Sequence, residues 1–120
     1  MTRRSIDIDG FRHANPIPGA SRVGPLVASS VISGRGGDSP EEQIAILFRH
    51  VGDMLHAAGA DWHHVVKINF YVPDLAFREM INAPWLERFP DPDSRPARHT
   101  HLSPGGREIT CDFLAYVDDD

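Results

Sequence analysis

The chain has 120 residues, 41% hydrophobic and 24% charged, enough for one core of modest size, so burial against further copies is an expected source of stability. Its 12 Lys and Arg stand against 17 Asp and Glu, a formal charge of −5 with no basic block, which argues against a nucleic-acid partner. The lone Cys111 cannot form an internal disulfide, the first residues lack the apolar run of a signal peptide, and no stretch approaches the roughly 20 apolar residues that span a bilayer. A cytoplasmic protein with no membrane partner is expected.

In chain order, residues 5–9 alternate polar with apolar (Ile6, Ile8) and read as a short strand at a sheet edge. A loop over 11–21 is punctuated by Pro16, Pro18 and Gly19, and strand pieces at 21–23 and 26–32 flank Gly24-Pro25. The glycine-rich stretch 33–38 lacks the Gly-Lys-Ser/Thr of a phosphate-cradling loop and reads as a flexible connection. Ser39-Pro40-Glu41-Glu42 opens a helix with an N-cap serine, a proline at the first helical position and a glutamate three residues after the cap. Ile44, Leu47, Phe48, Val51, Leu55 and Ala58 then recur on one face, and Gly59 closes the helix in the left-handed conformation.

Residues 64–72, rich in β-branched and aromatic side chains, predict a buried strand stopped by Pro73-Asp74. A second helix follows over 75–89, with Met80, Ile81 and Trp85 toward the core and a kink at Pro84. Residues 90–96 hold three prolines and form a rigid loop. Strands at 97–102 and 108–117 flank the turn at 103–107, and 118–120 is an acidic tail. The order of elements gives an α+β fold over 1–120 as one domain, a largely antiparallel sheet with both helices on one face.

Four segments in this order resemble the RidA/YjgF/YER057c/UK114 family. They are Asn15-Pro16 through Gly24 with the strand ending Ser29-Ser30; Gln43, then Ala57-Ala58-Gly59-Ala60 leading into Val65-Val66-Lys67; Arg78 through Asn82 running to Phe89-Pro90; and Arg95-Pro96-Ala97-Arg98-His99-Thr100. The resemblance implies a chorismate-mutase-like fold assembled as a homotrimer, with a central barrel, outward helices and three sites in clefts between neighbouring subunits. It also implies hydrolysis of reactive enamines or imines to a keto acid and ammonia, with no cofactor and with Arg98 holding the substrate carboxylate. A guanidinium suits that role because it offers paired donors and stays charged.

If the last turn is a hairpin centred on Gly105, Arg98 pairs with Asp112 and Thr100 with Thr110, and these side chains share a face with Glu108. Relatives place a glutamate on this closing strand; here Thr110 takes its position, and Asp112 is the nearest carboxylate. Asp112 is thus either the group that shuttles the proton of the attacking water or an ion-pair partner of Arg98. Thr100 is a substrate contact or a strand filler. Asn82 and Trp85 match family positions near the cleft, Trp85 with core packing as its alternative, and Ser30 and Val31 bring backbone groups to it. The tyrosine that relatives carry in the loop before the second strand is missing, with His13 and Asn15 as replacements.

No metal site is expected. His63 and His64 point apart on a strand, and His99 with His101 offers two ligands without a third. Cys111 reads as buried filler. Two further readings stay open: a non-catalytic trimer that binds a small carboxylate, and a catabolic deaminase of the aminomuconate type. The acidic charge argues against a ribonuclease.

Overall fold

A computed structural model describes residues 2–118. Seven strands form one sheet: β1 (Arg4–Ile6), β2 (Ala20–Val23), β3 (Leu26–Ser29), β4 (Ile32–Ser33), β5 (Val65–Val72), β6 (Ala97–Leu102) and β7 (Thr110–Tyr116). Two α-helices accompany them, α1 (Pro40–Ala57) and α2 (Asn82–Arg88). The strand order is β1-β2-β3-β7-β5-β6, with β4 also paired to β7, so β1 and β6 are the edges. All pairs are antiparallel except β5 with β6. Parallel neighbours need a crossover, and α2 with the segment before it supplies one. Of the predicted acidic tail, Asp119 and Asp120 lie outside the described residues.

The α1 helix forms as its sequence dictates. Ser39 Oγ accepts from the Glu42 backbone N–H at 3.1 Å, and the Glu42 carboxylate accepts from the Asp38 N–H at 2.9 Å. Its buried stripe carries Ile44, Leu47, Phe48, Val51, Met54 and Leu55. At the other end Gly59 takes φ +77°, and the Arg22 guanidinium donates to the Ala58 carbonyl at 2.7 Å, a cation at the negative end of the helix. Phe48 of α1 and Trp85 of α2 both pack on Phe70 of β5, with ring centroids 5.9 and 6.2 Å away. The two helices therefore cover the same face of the sheet. The opposite face exposes Leu26, Leu114 and Tyr116, and Leu26 is the cross-strand neighbour of Tyr116.

The stretch at 33–38 is not a slack connection. Ser33 belongs to β4, and a Cβ on Gly34 or Gly37 would collide with the Gln43 backbone, so these glycines let the loop lie directly against the start of α1. Gln43 adds a tie of its own, its Oε1 accepting from the Ile109 N–H at 2.9 Å.

The second helix also departs from its prediction. Residues Leu75–Ile81 are a 3-10 helix, and only Asn82–Arg88 is α-helical. Pro84 has no N–H to return to the Met80 carbonyl, so one α-helix cannot run through. The change of pitch keeps Ile81 and Trp85 buried but leaves Met80 37% exposed, outside the core, where it lines a groove of about 360 Å³ between α1 and α2.

The predicted closing hairpin is absent. β6 and β7 do not touch; β5 lies between them, with Ile68 opposite Arg98 on one side and Phe113 on the other, and Asn69 opposite His99 and Asp112. Side chains alternate along each strand, so Arg98 and Thr100 share the helix-covered face with Ile68 and Phe70. Asp112 belongs to the open face with Asn69 and Tyr71. Arg98 and Asp112 of one chain thus form no ion pair and share no cleft. Glu108 is also engaged elsewhere, accepting from Ser33 Oγ at 2.6 Å and pairing with Arg35 at 3.2 Å.

Candidate functional site

The 3-10 segment and the edge strand β6 enclose a cleft of about 1080 Å³, lined by Leu75, Arg78, Glu79, Asn82, Arg98 and Thr100 among others. Its best-positioned group is the Arg98 guanidinium. Nη1 donates to Asn82 Oδ1 at 2.8 Å and Nη2 to the Arg78 carbonyl at 3.0 Å. The same group lies over Trp85 and Phe70, 5.2 and 5.7 Å from their ring centroids. A planar cation held over two aromatic faces by two hydrogen bonds is fixed in orientation and still has further N–H groups to donate.

Burial, and then the charge of Arg78, lower the Arg98 pKa below that of a free guanidinium, yet it stays protonated at any physiological pH. Among the described residues no carboxylate oxygen pairs with it. An unpaired guanidinium has the charge and the paired donors that a carboxylate matches.

Of the residues singled out in the sequence, Arg98, Asn82, Thr100 and Trp85 come together. Trp85 packs in the core at 6% exposure and carries the guanidinium on its face. Ser30, Val31, Thr110 and Asp112 are elsewhere in the chain. Ser30 is tied by its hydroxyl to the Pro18 carbonyl at 2.8 Å, and Val31 is 46% exposed between β3 and β4, with β7 and β5 separating it from β6. Thr110 pairs with Ser33 and Tyr71 at the start of β7.

Asp112 anchors a polar network on the open face. Its carboxylate accepts from Tyr71 Oη at 2.8 Å and Asn69 Nδ2 at 3.0 Å, and Asn69 Oδ1 lies 3.2 Å from His101 Nε2. The hydrogen bond to Asp112 pushes the Tyr71 pKa up to about 12, with burial adding to it. The polar period-two run Lys67, Asn69, Tyr71 was the available sequence signal for this network. Arg78 was missed as a cleft residue too; its spacing to Asn82, one turn away, was the clue.

The histidines are arranged differently from the prediction. His63 and His64 lie in a 3-10 turn before β5 rather than on it, and their rings meet with centroids 3.9 Å apart, tilted by 40°, instead of pointing apart. His64 Nδ1 accepts from the Asp61 N–H at 2.9 Å, and its other nitrogen lies 3.7 Å from Asp118. Among the described residues no three His, Cys, Asp or Glu side chains converge on a point that could hold a metal ion. Cys111 is fully buried, and burial raises its thiol pKa well above the ordinary range, so it packs in the core rather than reacting.

A family model described as endoribonuclease L-PSP matches residues 27–101, more than half of the chain. The chain belongs to this family, the YjgF/RidA family. It is 36% identical over 64 residues to the chloroplastic Reactive Intermediate Deaminase A of Arabidopsis thaliana, a stretch covering 53% of this chain and 33% of that one. It is 31% identical over 78 residues to a RutC family protein of Aquifex aeolicus (strain VF5), covering 58% of this chain and 62% of that one. The fold is shared with a YjgF/YER057c/UK114 family member from Mycobacterium tuberculosis, with a TM-score of 0.84 at 24% identity over 97% of this chain and 100% of that one. The YjgF/RidA match takes in Arg98 and Thr100 but stops before β7, the strand that carries Thr110 and Asp112. Among the described residues no helix is long and apolar enough to cross a membrane.

Proposed function

We propose that the chain is a hydrolytic deaminase of reactive enamines and imines, releasing a keto acid and ammonia, with the substrate carboxylate held by Arg98. The observation that carries this reading is the guanidinium without an acid partner, fixed over Trp85 and Phe70 and lining the cleft. Asn82 orients Arg98 and presents its amide to the substrate, and Thr100 offers a hydroxyl from the next inward-facing position of β6.

One chain supplies only half of this site. The cleft is open beside an unpaired strand edge, and the uncovered face of the sheet carries Leu26, Leu114 and Tyr116, a patch that favours burial against another copy. In a homotrimer of this one-domain chain, located in the cytoplasm, Asp112, Thr110, Ser30 and Val31 of a neighbouring copy complete the cleft. The substrate enters as an iminium with its carboxylate on Arg98. Water adds to the iminium carbon, and its proton passes to the Asp112 carboxylate of the neighbour. That proton then moves to the amine nitrogen; as the C–N bond breaks and ammonia leaves, the carbinol O–H gives its proton back to the Asp112 carboxylate and closes to the ketone, and the departing ammonia takes that proton as ammonium.

A second reading, a trimer that binds small carboxylates without turnover, draws on Thr110 standing where the family glutamate is expected. Semicarbazide trapping separates the two. An L-amino-acid oxidase generates the imine, and semicarbazide captures what survives. A deaminase suppresses semicarbazone formation in proportion to its concentration; a binder leaves it unchanged across the amino-acid panel.

A further inference from the structure

The cleft holds a second guanidinium. Arg78 lines the same opening as Arg98, and among the described residues neither has a carboxylate oxygen within 4.0 Å, as is true of most arginines of the chain. Glu79 also lines the cleft and pairs with neither. Arg78 taken alone would be an ordinary solvated surface arginine. Its position beside a half-buried cation is what sets it apart, because like charges brought together disfavour one another. The contact is close: the Arg78 carbonyl accepts the Arg98 hydrogen bond at 3.0 Å, so the Arg78 side chain departs from the rim of the Arg98 subsite. This local excess of positive charge sits in a chain of formal charge −5, which as a whole repels a dianion.

We propose that the cleft selects a short dicarboxylate, with the carboxylate beside the reacting carbon on Arg98 and a distal carboxylate on Arg78. The reaction class rests on the deaminase reading; the binding preference does not. The substrate class is then an imine or enamine made from an acidic amino acid or a comparable dicarboxylate amine.

Calorimetry with two stable keto acids tests the preference. 2-Oxoglutarate is expected to bind the wild type about tenfold or more tightly than 2-oxobutyrate. In Arg78→Gln the ratio falls toward one, and in Arg78→Lys, which keeps a point charge, it falls less. Arg78 is exposed, so neither substitution opens a hole in the core. The imines of glutamate and 2-aminobutyrate, run in parallel through the trapping assay, are expected to follow the same order. Equal affinity for the two keto acids, or a ratio that Arg78→Gln leaves intact, overturns the dicarboxylate assignment and spares the deaminase reading. A dicarboxylate preference with no turnover of either imine upholds the assignment and overturns the deaminase. Failure of the wild type to bind either keto acid overturns the assignment.

Discussion

Arg98→Ala is expected to lower kcat/KM for imine hydrolysis by about 100-fold or more, because a charged anchor in a partly desolvated site is worth several kcal/mol to the group it holds. The geometry explains why no neighbour compensates. Arg98 alone is seated over the aromatic floor of Trp85 and Phe70, held there by Asn82 and the Arg78 carbonyl, and the Arg78 guanidinium, the other cation lining the cleft, has no such seat from which to take over the carboxylate. Arg98→Lys is expected to recover little. An ammonium cannot donate to Asn82, to the Arg78 carbonyl and to both carboxylate oxygens in one plane. Losing the stacked guanidinium also costs about 1 kcal/mol of stability, so thermal melts of both variants should accompany the rates. Wild-type rates in a folded Arg98→Ala protein would remove Arg98 from the chemistry.

The second large effect is complementation between two inactive proteins. In one chain Arg98 faces the helix layer and Asp112 the open side of the sheet, so a site that uses both must join two copies. Arg98→Ala and Asp112→Asn are each expected to abolish turnover as homotrimers. When they are denatured together in equal amounts and refolded, about a quarter of the sites in randomly mixed trimers pair an intact Arg98 with an intact Asp112 from the neighbour, and activity returns to about that fraction. Activity that stays at the single-variant level after mixing, with mixed trimers confirmed by mass spectrometry, places Asp112 outside the site. Asp112→Asn keeps the acceptor for Tyr71 while removing the charge, so the open face retains its packing.

Elements built from local signals were legible in the sequence. The cap and stripe of α1 needed only Ser39, Pro40, Glu42 and the spacing of apolar residues, and β6 falls on the predicted residues, 97–102. The association of Arg98, Asn82 and Trp85 came through the family resemblance. What was not legible is non-local. A short glycine-rich turn between two strands reads as a hairpin, and nothing in residues 97–117 reveals that β5 lies between those strands. That single insertion moves Asp112 to the other face, because a strand's facing is set by its pairing partner. Gly34 and Gly37 read as slack because the close approach of Gln43 comes from a different element. Met80 was misplaced for a different reason: the pattern assumed α pitch through residues 75–81, which form a 3-10 helix.

A crystal structure of the wild-type protein grown with 2-oxobutyrate, the keto-acid product of an imine substrate, tests most directly whether the chemistry belongs to this cleft. The expected result is a carboxylate bonded to the Arg98 guanidinium, its keto carbon facing the Asp112-bearing sheet face of a second copy. A keto acid bound away from Arg98, or a cleft left open to solvent with no second copy against it, would contradict the inter-subunit deaminase.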